Sequence, residues 1–437
     1  MKMPKYNLSR FLQAVLFGGL FVFAPAKEWT LAECLERAKS SGLTMQAAKL
    51  SEERASVSLQ QAKNGRYPTL SASVNQSLYD SPFRDVPQDH YRLSLGLSGS
   101  LKLWDGGSTG LSIEARSLDL ASAKYKTVLS ELQVQEAVMN AYLSLLAAME
   151  NTVSFQKSLT LSGELYQDKK NLLDAGMITQ SDFALAESDL ALSQVNLITA
   201  EQSENNRRTT LRQLLELSRL DSFSVSTAEF QMNSPDSLEA LPDYETAIVE
   251  IRKNNPGLAA DSLSLLSAQK SVKIAGKTNS INVTLGANAS SGFTAWESDA
   301  YGHQMKDGYN HSLSLGINIP IIDGGTTAAN ILSAQVAAAQ ADIARLETEK
   351  NLDNQMETLY LNALSADAQW KAALIQLKAQ QEVFRVSEEQ QRAGSISYTD
   401  FLEQKNKLDN ANTTFTQAKY SSLLARRLLD LYRGKYL

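Results

Sequence analysis

The 437-residue sequence has a single cysteine, Cys34, three histidines and nine prolines. One thiol excludes a disulfide framework and a cysteine-based metal site. Cys34 reads instead as a small buried residue on the first helix. His90, His303 and His311 have no recognisable metal-ligand spacing, so no metal residue is assigned. No Ser-His-Asp, HExxH or paired catalytic carboxylate pattern is evident, and no catalytic or cofactor-binding residue is assigned either. Gly106-Gly107-Ser108-Thr109-Gly110 resembles a phosphate loop, but no Lys follows it and the Gly pair recurs at Gly324-Gly325. After the first 26 residues no stretch approaches about 18 consecutive apolar residues, so helices are not expected to anchor the chain in a membrane. Proline is absent between Gln88 and Ser234 and again after Ile321, which leaves two long tracts free for helix.

The opening 26 residues read as a secretory signal peptide. Lys2, Lys5 and Arg10 form a basic start, Phe11 to Ala24 is an apolar core, and Ala24-Pro25-Ala26 is a small-x-small cleavage site. Its removal takes three cations and no acids, moving the formal charge from −6 to −9. An acidic exported product is a poor candidate for nucleic-acid binding.

The residues that are present fall into a doubled pattern. From Tyr91 to Leu103 every odd position is apolar or Gly, while the even ones are Arg92, Ser94, Gly96, Ser98, Ser100 and Lys102. A period of two predicts a strand with one apolar and one polar face. Leu313, Leu315, Ile317, Ile319 and Ile321 repeat that period downstream, and both runs end in Asp-Gly-Gly, at Asp105 and Asp323. Thr69 to Tyr79 and Ile281 to Ser290 alternate in the same way, which predicts two hairpins with loops at 80–89 and 291–308. Thr30 and Glu33 have capping-box spacing at the start of a helix running to Asn64, with a break at Gly42. Tyr244 to Ala275 is its counterpart, broken at Asn255-Pro256-Gly257.

Each Asp-Gly-Gly is followed by a long helical tract. In the first, Leu118, Tyr125, Leu132, Met139 and Leu146 recur every seven residues, interrupted by a polar Gln135 on the companion seam. Some 60 residues at about 1.5 Å each span about 90–100 Å. The tracts break at the matching segments AGMITQSDF (175–183) and AGSISYTDF (393–401), and shorter helices return over 181–217 and 398–431. The expected organisation is a signal peptide at 1–26 and a first repeat at 27–217, with its hairpin at 69–104 and its turn at 174–181. A connector at 218–242 leads to a second repeat at 243–437, with its hairpin at 281–321 and its turn at 392–399. An internal duplication of this kind precedes any choice of fold.

Four amphipathic strands cannot close a barrel, and open edges cannot sit in lipid, so strands from other chains must complete it. Three protomers would supply twelve strands and twelve helical columns. This doubled order resembles the TolC family of outer-membrane efflux proteins, on the strength of WTLAECLERA near the mature start, the two strand-to-Asp-Gly-Gly junctions and the paired breaks. The resemblance implies an α+β membrane fold and a homotrimer: a 12-stranded barrel in outer-membrane lipid and a 12-helix tunnel across the periplasm. It implies an exit duct for efflux or type I secretion, opened by a periplasmic adaptor (membrane fusion) protein and driven by an inner-membrane RND or ABC transporter.

The same resemblance implies where the duct closes. Asp400 and Glu403, just after the second break, match acidic residues that ring the narrowest point of the tunnel, and Asp182 is the first-copy counterpart. The position matching Glu403 is Leu185, so the ring is not doubled. A Tyr and an Arg that lock the tip in family members correspond to Gln391 and Ile396 here, leaving Arg392 as a substitute. The turn residues Gly176, Met177, Ile178, Gly394, Ser395 and Ile396 are expected to dock the adaptor. Two other classes are compatible with the pattern. One is a secreted soluble coiled-coil or adhesin-like structural protein whose hairpins form a small sandwich; the other is an envelope enzyme, for which no nucleophile or metal site is offered.

Overall fold

The computed structural model describes residues 28–79, 90–218, 223–230, 232, 234–235, 239–295 and 299–435. The signal-peptide reading at 1–26 and the first hairpin loop at 80–89 lie outside the described residues. A two-residue strand β1 (Glu28–Trp29) leads into α1 (Leu31–Ser41) and α2 (Leu43–Asn64). Thr30 and Glu33 form the expected capping box, and Gly42 separates the two helices. Strands β2 (Thr69–Tyr79) and β3 (His90–Trp104) precede α3 (Ser108–Asp174) and α4 (Gln180–Leu214). After β4 (Ser224–Val225) come α5 (Tyr244–Asn254), α6 (Pro256–Ala275), β5 (Asn282–Thr294), α7 (Tyr301–Asp307) and β6 (Asn310–Asn318). The chain closes with α8 (Thr326–Arg392) and α9 (Tyr398–Tyr432).

The duplication extends to element lengths. Helices α3 and α8 have 67 residues each, about 100 Å at ~1.5 Å per residue, and α4 and α9 have 35 each. Pro256 takes the first turn of α6, where its missing N–H costs nothing, and Asn255 Oδ1 caps it by accepting from Leu258 N–H at 2.9 Å. One antiparallel sheet runs in the order β2-β3-β5-β6, so the two hairpins join through β3 and β5.

Several expectations need correction. The second copy's last strand stops at Asn318 rather than Ile321, because Pro320 has no N–H to give a ladder. The segment 291–308 is not all loop: β5 continues to Thr294, and the short helix α7 follows. The heptad seam of α3 is buried only at its middle. Leu132, Met139 and Leu146 are buried, but Tyr125 is 44% exposed. A seven-residue repeat drifts around a straight helix, so a seam that faces the core in one stretch leaves it in another.

The connector also carries more structure than its composition promised. Ser224–Val225 pairs in parallel with Glu28–Trp29, and Phe223, Val225 and Phe230 are buried in the main core. That core gathers Leu132 to Leu146 of α3 with side chains from α1, α4, α5, α8 and α9. Tyr142 ties the connector in by donating its hydroxyl to Ser226 O at 2.7 Å and Trp29 O at 3.1 Å.

Candidate functional site

Two regions can serve a function, the sheet and the pair of helix turns at the far ends of α3 and α8. In the sheet, pairing aligns side chains of one kind on one face. Across β2 and β3, Ser77 faces Arg92, Asn75 faces Ser94, Ser71 faces Ser98 and Thr69 faces Ser100. The same face continues through Thr284, Asn288 and Ser290 of β5 to Ser312 and Ser314 of β6. Hydroxyl pairs lie across it at 2.9 Å (Thr69–Ser100) and 2.8 Å (Ser71–Ser98). The opposite face holds Leu70, Val74 and Leu78 with Leu93, Leu95 and Leu97, and then Leu285, Leu313, Leu315 and Ile317, with Gln76 and His311 among its polar exceptions.

No second sheet covers that apolar face among the described residues. Leu70 is 73% exposed and Leu313 74%. The small sandwich considered for a soluble protein is therefore not what the hairpins form. Strands β2 and β6 each pair on one side only, which leaves two open edges. No described helix is long and apolar enough to cross a membrane. The sheet is the element with an uncovered apolar face of spanning length.

Each sheet hairpin passes to its long helix through Asp-Gly-Gly. Asp105 accepts from Gly107 N–H at 3.2 Å and Thr109 N–H at 2.9 Å, and Asp323 from Gly325 N–H at 3.0 Å and Thr327 N–H at 2.8 Å. The paired glycines hold left-handed backbone, with φ of +67° and +87° at Gly106 and Gly107. These amides are already taken by the carboxylate, so the resemblance to a phosphate loop does not extend to a phosphate site.

The two breaks are the same structure twice. Gly176 and Gly394 are left-handed, at φ +71° and +70°. Met177 N–H reaches Leu172 O and Ser395 N–H reaches Gln390 O, each at 2.8 Å, closing Schellman turns. Thr179 with Asp182, and Ser397 with Asp400, then cap α4 and α9. Ser397 Oγ donates to Asp400 Oδ2 at 2.7 Å, so the Asp400 carboxylate steadies the capping hydroxyl of its helix as well as carrying charge. Glu403, one turn on, pairs with Lys407 at 2.6 Å. Arg392 pairs with Glu388 on its own helix, also at 2.6 Å. Met177 is 72% exposed, whereas Ile396 is partly buried against Tyr398 and Phe401.

Sequence reasoning missed a charged cluster just above the turns. Lys405 of α9 reaches Asp189 and Ser193 of α4, and Ser162 of α3 donates to Asp189 at 2.8 Å. One turn further, Ser158 donates to Asp409 at 2.7 Å. Burial pushes the Asp409 carboxyl above the usual range, and the nearby Asp189 pushes it the same way. Among the described residues no group of three His, Cys, Asp or Glu side chains is placed to hold a metal ion.

With a doubled sheet-and-hairpin unit in place, comparison with known proteins is decisive. The family model described as outer membrane efflux protein matches twice, over residues 34–216 and 247–435. The chain belongs to that family. Among its relatives, outer membrane efflux protein BepC of Brucella suis is 24% identical over 86% of this chain and 80% of its own length. Outer membrane protein TolC of Vibrio cholerae is 21% identical over 90% of this chain and 88% of its own. The Campylobacter jejuni CmeC outer membrane channel superposes with a TM-score of 0.72 at 17% identity, covering 99% of this chain and 93% of that one. The TolC-like fold, the internal repeat and the outer-membrane location, with the helices as its periplasmic extension, follow for this family member. It is an outer-membrane exit duct for efflux.

Proposed function

We propose that three copies of this chain assemble into a passive duct, joining their sheets edge to edge into one 12-stranded barrel. The observation that carries this reading is the sheet itself, with two open edges, one bare apolar face and one face of Ser, Thr and Asn. In hydrocarbon an unpaired edge costs several kcal/mol per group, so only closure satisfies it. The apolar face then meets lipid and the polar face lines a watery lumen. The chain acts as a conduit and not as an enzyme.

In this reading the repeats at 27–217 and 243–437, linked by 218–242, each contribute one hairpin to the barrel and one to the tunnel. Gly176, Met177, Ile178, Gly394, Ser395 and Ile396 meet a periplasmic adaptor coupled to an inner-membrane RND or ABC transporter. Asp400 and Glu403, with Asp182 nearby, bring negative charge to the closed end. Ile396 also packs partly against Tyr398 and Phe401, which ties that contact surface to the core of its turn.

The test is direct. Detergent-extracted protein should migrate as a heat-modifiable trimer and open conducting pores in a planar bilayer. A water-soluble monomer that forms no pore would overturn the reading.

A further inference from the structure

The polar face of the sheet is almost free of formal charge, and its two charged residues have the same sign. No Asp or Glu occurs in β2, β3, β5 or β6, while β3 carries Arg92 and Lys102. Lys102 is answered locally, its Nζ 3.6 Å from Asp105 Oδ2 at the junction with α3. Arg92 is not. Its cross-strand neighbours in register are Ser77 and Thr294, its side chain is exposed, and among the described residues no carboxylate pairs with it. It lies ten residues along β3 from Lys102, roughly 33 Å at ~3.3 Å per residue, toward the hairpin-loop end. Its in-register neighbours Ser77 and Thr294 are small and polar, so a serine would satisfy packing between them.

We infer that Arg92 is a specificity-determining residue, whose guanidinium, unpaired among the described residues and present once per chain, favours anionic over cationic solutes in the outer part of the lumen. This rests on the polar face lining the lumen, as proposed above. Three such cations in a water-filled ring surrounded by low-dielectric wall raise the local anion concentration. They also oppose in sign the carboxylates Asp400 and Glu403 at the other end of the chain's long axis of helices. An anionic solute is drawn toward the exit, and a cationic one meets a barrier there.

The experiment is the reversal potential of the full-length protein in planar bilayers under a potassium chloride gradient. The variants are Arg92→Ser, Arg92→Glu, Arg92→Lys and the double change Lys102→Ser with Asp105→Asn. Arg92→Ser should raise the cation-to-anion permeability ratio at least about twofold near 0.01 M salt, where screening extends over about 30 Å, and lose the effect near 1 M. Arg92→Glu should move the ratio further in the same direction. Arg92→Lys should match the parent, and so should Lys102→Ser with Asp105→Asn, which removes both partners of an ion pair and leaves the net charge unchanged. Pores that conduct normally but keep their selectivity in both Arg92→Ser and Arg92→Glu overturn this inference and leave the duct standing. A parent protein that forms no pore overturns the duct reading itself.

Discussion

Lys405 Nζ lies 3.0 Å from Asp189 Oδ1, and the two side chains are only 3% and 4% exposed. The pair joins the returning helices of the two repeats, and Ser193 and Ser162 complete its hydrogen bonds. Removing one partner of such a pair strands a buried charge, at a cost of about 3–5 kcal/mol, whereas replacing both with apolar side chains is often neutral. Lys405→Ala alone should therefore lower the unfolding temperature sharply by far-ultraviolet circular dichroism in detergent. Lys405→Met with Asp189→Leu should recover most of that loss. A double variant as unstable as the single one would show that the cluster stabilises by more than its mutual neutralisation.

Gly106 combines two constraints that can be separated. Its φ of +67° disfavours any side chain, and a Cβ there would lie 2.4 Å from the Cβ of Ser280. Gly107 has φ +87° but nothing within 4 Å of its Cβ position. The left-handed conformation alone costs a non-glycine residue about 1–2 kcal/mol, so Gly107→Ala should lose about that much and Gly106→Ala more. Adding Ser280→Gly should restore part of the loss in Gly106→Ala and none in Gly107→Ala, measured as coupling in a double-mutant cycle of unfolding temperatures. Equal losses at the two glycines would refute the steric account.

The architecture was legible in the sequence to the extent that its signals are periodic and local. The period-two run at Tyr91 to Leu103 lies wholly within β3, and the Ala-Gly breaks lie at the ends of α3 and α8. Asp105 and Asp323 were visible as a repeated motif, but their reason, a carboxylate holding two amides of its own junction, is geometry. The pairing of Glu28–Trp29 with Ser224–Val225 spans nearly two hundred residues and only two rungs, too few to show a period. The Lys405 cluster was equally hidden, because its members come from three helices, α3, α4 and α9. A lysine four and seven residues after Phe401 and Tyr398, on the face those buried aromatics share, was the one hint.

The Asp105 junction predicts a pH dependence with a definite sign. Burial pushes its carboxyl upward, but the Thr109 hydroxyl and N–H, Lys102 and the Gly107 N–H together hold it below the usual carboxylate range. A folded-state value below the unfolded one stabilises the protein above the ordinary carboxylate pKa, and that contribution disappears as pH falls through the folded value. Asp105→Asn should flatten the acid limb of a stability-versus-pH curve while leaving the neutral-to-alkaline part parallel to that of the parent. An acid limb identical in both proteins would show that the junction does not contribute.

Charge and capping are entangled at the second turn, and the variants must part them. Asp400 N–H is 3.1 Å from Ser397 Oγ, and the Asp400 carboxylate returns a contact to that hydroxyl at 2.7 Å. Replacing Asp400 with Ala would remove charge and also disturb the start of α9, an effect worth about 1 kcal/mol at a helix N-terminus. Asp400→Asn with Glu403→Gln keeps hydrogen-bonding side chains at both positions and removes only charge. If these carboxylates line the constriction, three copies of each favour cations, and the neutral pair should lower cation selectivity in bilayers with little change in unfolding temperature. Glu403 gives an internal control, because its exposed partner Lys407, 2.6 Å away, offsets it only weakly in water. Lys407→Gln should then raise cation selectivity slightly, opposite in sign to Glu403→Gln. If neither change moves the permeability ratio, both carboxylates serve the helix start and its exposed face, and the constriction is formed by other residues.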